Sequence, residues 1–127
     1  MHTLCSFLSA SILFLFAGAF DTDPSGTWKM TMAGPEGNEV VASITFTNGT
    51  YMGDFGMDGT IEVQGAYTLE DDQITLSDDK EKTTAEACEG QGVYVISVDG
   101  DSMSMSLLSD DCEGRSVILN GITMTRQ

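Results

Sequence analysis

Carboxylates dominate the side chains that could do chemistry in this sequence. Twenty acidic residues stand against five basic ones in a chain of 127, a formal net charge of −15. The acids cluster at Asp71-Asp72, Asp78-Asp79, Glu86 to Glu89 and Asp110-Asp111. A carboxylate pair can do acid–base work. Asp99-Gly100-Asp101 and Asp110-Asp111-Cys112-Glu113 also offer the hard oxygen ligands that calcium takes. Neither run has the twelve-residue helix–loop–helix spacing that ends on a ligating Glu, and aspartate is favoured in hairpin turns for backbone reasons alone. Solvated turns are therefore expected, with weak calcium binding by the acidic loops as the alternative. His2 is the only histidine and lies at the extreme N-terminus. The rest of the chain thus has no Ser-His or Cys-His nucleophile, no imidazole base and no imidazole ligand for zinc or haem. The sequence predicts no enzyme, no catalytic residue, no metal centre and no cofactor.

The N-terminal stretch is read as a signal peptide over 1–19, followed by one domain over 20–127. From Leu4 to Phe16 the residues are apolar or small, and they lead to Ala17-Gly18-Ala19, a small-x-small pattern suited to cleavage. The run is too short for a typical membrane span and acidic, turn-rich sequence follows at once. No transmembrane segment is expected in the mature chain, and the localisation read from it is secreted or extracytoplasmic (periplasm or extracellular). A charge of −15 repels phosphate backbones and anionic membrane faces, so nucleic acid is excluded as a partner. A monomer is expected.

Removal of that leader takes Cys5 with it and leaves Cys88 and Cys112, an even pair in an oxidising route. They lie nearly symmetrically about Asp99-Gly100, and pairing Val98 with Asp101 sets them almost opposite one another across a hairpin. A bridge there fastens the open end of the hairpin, worth roughly 3 kcal/mol in the chain-entropy model. With no Cys-x-x-Cys and no nearby histidine, its role reads as structural.

The elements that must position these residues follow from turn signals and alternation. Trp28, Met30 and Met32 alternate with Thr27, Lys29 and Thr31, and Val40, Ala42, Ile44 and Phe46 alternate with polar or outward residues. Thr50 to Phe55, Ile61 to Leu69, Ile74 to Leu76, Tyr94 to Val98 and Met103 to Leu107 give five further segments. The stretch from Arg115 to Arg126 reads as one long last strand kinked at Asn120-Gly121. Short connections, with Asn48-Gly49 and Asp99-Gly100 as type I′ hairpin dipeptides, favour antiparallel neighbours. Trp28 precedes both Cys88 and Cys112, against the Cys-Trp-Cys order of an immunoglobulin sandwich. The fold class read from this is all-β, an eight-stranded antiparallel up-and-down barrel. Alternation points Met30, Ile44, Phe46, Ile61, Val63, Tyr67, Tyr94, Ile96, Met103, Met105 and Leu107 inward.

Gly26-Thr27-Trp28 opens the first strand and Arg126 ends the last, and the run from Cys112 through Gly114-Arg115 to Thr125-Arg126 closes the chain. In these features the sequence resembles lipocalins and the wider calycin superfamily, small bacterial lipocalin-like domains in particular. The resemblance implies that Trp28 plugs one barrel end with Arg126 across its ring, a cation–π contact of ~0.5–2 kcal/mol. It also implies a small hydrophobic molecule bound among the inward residues. Eight-stranded barrels sit on the boundary between a filled interior and one that holds a small ligand. The alternative is therefore a filled structural or interaction barrel, acting through an outer apolar patch around Val41, Met52 and Leu108.

Overall fold

The computed structural model describes residues 22–33, 35–85 and 87–127. The expected signal peptide over 1–19 lies outside them. Eight strands follow one another: β1 Gly26–Ala33, β2 Glu39–Thr47, β3 Thr50–Phe55, β4 Val63–Glu70, β5 Gln73–Asp78, β6 Gln91–Asp99, β7 Ser102–Asp110 and β8 Thr123–Arg126. Each pairs antiparallel with its sequence neighbours, and β1 pairs with β8, so the sheet closes into an up-and-down barrel.

Alternation does what the period of two requires. Along β6, Tyr94, Ile96 and Val98 are buried while Val95, Ser97 and Asp99 face away. The buried set from all strands forms one core, with Trp28, Ile74, Tyr94, Met103 and Met124 each 0% exposed. At the β2–β3 turn both Asn48 (φ 49°) and Gly49 (φ 82°) have positive φ, as a type I′ hairpin needs. The β6–β7 turn differs from its expected register. Asp99 pairs with Ser102, leaving Gly100 and Asp101 as the turn, and Gly100 carries positive φ there as the first central residue.

The expected long last strand is corrected. Glu113–Leu119 is an α-helix, α1, and β8 keeps only four residues. Arg115 and Leu119, four residues apart, both turn inward and are the buried residues of the helix, whereas Val117 is 74% exposed. The helical period prevails because it buries those two groups together, despite the β-branched Val117 and Ile118 between them.

This helix also explains Leu107. Its expected place is the interior, yet it is 37% exposed. The β7–β8 ladder ends at Ser104 with Thr123, and the register shifts between Val93 and Tyr94 so that Leu108 opposes nothing. Leu107 thus stands beyond the strand that would cover it. The outer patch expected around Val41, Met52 and Leu108 is not contiguous either. Val41 and Met52 lie on adjacent strands, while Leu108 is on β7, across the barrel.

Candidate ligand site at the open end of the barrel

The barrel is packed at one end and hollow at the other. At the packed end Trp28 pairs with Arg126 in the β1–β8 ladder, and the guanidinium carbon lies 4.2 Å from the indole centroid. Trp28 Nε1 donates to the Pro24 carbonyl at 2.7 Å, and Arg126 Nη1 donates to the Ser25 carbonyl at 2.9 Å. Phe46 meets the edge of Tyr67 with ring centroids 5.3 Å apart.

At the other end a cavity of about 660 Å³ lies under α1 and the segment that joins β5 to β6. Its apolar wall is Met30, Ile44, Phe55, Val63, Leu76 and Leu119, with Ile118 at the rim. This size falls in the range of small-molecule sites, about 300–1,000 Å³, and so does an apolar wall with a few polar groups.

Three of the polar residues in the wall, Tyr51, Asp78 and Arg115, belong to one cluster with Asp110 and Tyr94. Arg115, 8% exposed, grips Asp110 with two parallel hydrogen bonds, Nε to Oδ2 at 2.9 Å and Nη2 to Oδ1 at 2.8 Å. The Tyr94 hydroxyl donates to Asp110, and the Tyr51 hydroxyl donates to Asp78. Arg115 Nη1 stands 3.7 Å from Asp78 Oδ1, an ion-pair contact, and has no hydrogen-bond acceptor. The Asp78 and Asp110 side chains are 6% and 0% exposed.

Burial pushes the Tyr51 phenol upward, and the Asp78 carboxylate adds to the shift. Tyr94 moves the same way, through burial and then Asp110. Burial would raise the Asp110 carboxyl, but hydrogen bonds from Arg115, Tyr94 and the Cys112 amide outweigh it and hold the group below its usual range. Burial likewise works against the Arg115 charge, and Asp110 more than restores it. Both tyrosines are therefore neutral donors, and Arg115 is a fixed cation.

The disulfide is part of the same assembly. Cys88 and Cys112 are bonded, with Cα atoms 5.6 Å apart. The Cys88 amide donates to Asp78 at 2.9 Å and the Cys112 amide to Asp110 at 2.8 Å. One covalent link and two carboxylates thus tie α1 and the start of β6 across the cavity.

Of the residues read as inward-facing, Met30, Ile44 and Val63 line the cavity. Phe46, Tyr94, Ile96, Met103 and Met105 are at most 2% exposed and belong to the packed core. Ile61 and Tyr67 are half-buried, the latter packed against the core, and Leu107 is outside. Tyr51, Asp78 and Arg115 were not singled out as a site by sequence, and Asp110 was considered only as a calcium ligand. Two strand-interior glycines carried the signal. A Cβ on Gly65 would lie 2.4 Å from the Tyr51 hydroxyl, and one on Gly92 would lie 2.5 Å from Asp110 Oδ2. Glycine within a strand marks such close approach.

The runs considered for calcium are not brought together. Asp99 and Asp101 are exposed at the packed end, and Asp110 is engaged by Arg115. Among the described residues, Asp54, Asp58 and Glu62 do place carboxylate oxygens within 4.8 Å of one another. Asp54 accepts the Asp58 and Gly59 amides, and Glu62 Oε1 accepts the Phe55 amide, so backbone donors already stabilise this loop.

Fold and cavity together define a closed up-and-down β-barrel with one hollow, polar-tipped end. No family model matches the chain, and neither a curated protein nor a solved structure matches it. Among the described residues no helix is long and apolar enough to cross a membrane.

Proposed function

We propose that this protein is a lipocalin-like binding protein that holds a small, largely apolar molecule in the hollow end of its barrel. The observation that carries the reading is the cavity of about 660 Å³ walled by Met30, Ile44, Phe55, Val63, Leu76 and Leu119. A packed Trp28 end and a hollow far end match what the calycin resemblance implies. The disulfide and the apolar N-terminal run support a secreted or extracytoplasmic setting. Ring closure leaves little strand edge to pair through, which supports a monomer. The reading includes no catalytic step.

Titration with the neutral fluorophore N-phenylnaphthylamine tests it. Fluorescence should rise and saturate with the wild-type protein. It should stay flat with Val63→Trp, which fills the cavity, while the circular dichroism spectrum is retained. No enhancement with wild type, or equal enhancement in both, would overturn the carrier reading.

A further inference from the structure

On the basis of the carrier reading above, the charges around the cavity narrow its occupant further. We infer that the ligand is an apolar amine, its hydrocarbon part filling the cavity and its ammonium group resting at the mouth against the Asp111 carboxylate.

The charged residues in the wall are Asp78, Glu89, Asp111 and Arg115. Arg115 offers no cation to a ligand, because Nε and Nη2 are spent on Asp110 and Nη1 is buried away from any open surface. Asp78 and Asp110 against this one guanidinium leave one formal negative charge in excess behind the wall. Glu89 is neutralised by Lys80. Asp111 is exposed, and among the described residues it has no ion-pair partner.

Asp111 is also held in position. It stands between Asp110, which Arg115 grips, and Cys112 of the disulfide. Its amide donates to the Gln91 carbonyl at 3.2 Å, and its Oδ2 accepts the Gln91 amide at 3.2 Å. Gly90 leaves room for the carboxylate, since a Cβ there would lie 2.5 Å from Oδ2. A carboxylate so fixed needs little further ordering when a cation arrives.

The three kinds of head group fare differently at such a mouth. A carboxylate meets the negative excess with no cation in reach, where low-dielectric walls concentrate the field. An alcohol or ketone gains nothing from the charge. An ammonium gains an ion pair at the rim, and there it keeps part of its hydration while its chain leaves water.

Displacement of N-phenylnaphthylamine at neutral pH tests this with three ligands of one chain length: decylamine, decanol and decanoate. In about 10 mM sodium chloride, decylamine should compete about fivefold more tightly than decanol, the upper range for an exposed ion pair, and decanoate about fivefold more weakly. About 500 mM salt should remove most of both differences. Asp111→Asn keeps an oxygen for the Gln91 amide and removes the charge, so decylamine should fall to the level of decanol while decanol is unchanged. Decylamine no tighter than decanol, or a preference that survives salt or Asp111→Asn, overturns the amine inference. The carrier reading stands in those cases as long as wild type binds the fluorophore and Val63→Trp does not. Absence of fluorophore binding by wild type overturns both.

Discussion

Two arginines, one at each end of the barrel, meet their surroundings in opposite ways. Arg126 lies outside the packed core, its side chain 34% exposed, across the face of a tryptophan that is 0% exposed. Its carboxylate neighbour, Asp101, is 87% exposed and 3.8 Å away, a contact that water screens to near nothing. Arg115 is 7% exposed by side chain, and its partner Asp110 is 0% exposed. A pair so placed gains little net stability over a well-packed apolar substitute, although removing one partner is severe. The packed end therefore accounts for holding the barrel shut. The polar end keeps a charged, hydrogen-bonded cluster that stability alone does not require, which is what a recognition role would explain.

If the two ends do separate jobs, breaking the packed one should cost stability and spare binding. Trp28→Ala should lower unfolding free energy by about 3–5 kcal/mol, the usual cost of emptying a large aromatic from a core. In urea titration its midpoint should fall steeply, while fluorophore affinity of the still-folded protein stays within about twofold, below 0.5 kcal/mol. Loss of binding in proportion to stability would erase the distinction.

Removing the bridge acts on the hollow end. Cys88→Ser with Cys112→Ser frees a loop with a sequence separation of 24, worth about 2–4 kcal/mol. Hydrogen exchange should quicken first in 113–119 and around 88–92, with the β1–β2 amides still protected. Uniform quickening around the barrel would mean that the ends are not independent.

The smallest effect comes from acid. Asp110's carboxyl is held below its ordinary value in the folded protein. Its contribution is therefore complete above the unfolded value of about 3.9 and is lost as pH falls through the lower folded value. Urea midpoints of wild type and Asp110→Asn should converge over that acidic window and stand apart above it. Parallel curves would show that Asp110 contributes nothing pH-dependent.

The strand count, the closed topology and the hairpin at Asn48-Gly49 were legible because alternation and turn chemistry are local signals. So was the Cys88–Cys112 pairing, once a hairpin lay between them. The helix at Glu113–Leu119 was not, since it is only seven residues long and its β-branched Val117 and Ile118 favour a strand. The site was half legible. Met30, Ile44 and Val63 follow from alternation, but whether an inward residue meets a neighbour or a void depends on where strands end. The cluster was missed because Asp78 and Asp110 sit in acidic runs that read as solvated while Arg115 read as part of a strand, and only Gly65 and Gly92 hinted that something bulky crosses there.

The early end of β8 has one more consequence. Past Ser104, β7 would present bare amides and carbonyls, the kind of rim on which another chain's strand can add. The segment after α1 occupies it instead. The Met105 carbonyl accepts the Gly121 amide at 2.9 Å, and the Leu107 amide is taken by Asn120 Oδ1 at 3.1 Å. A side-chain amide thus seals the fence where the last plank stops short, and guards this stretch against growing into a fibre.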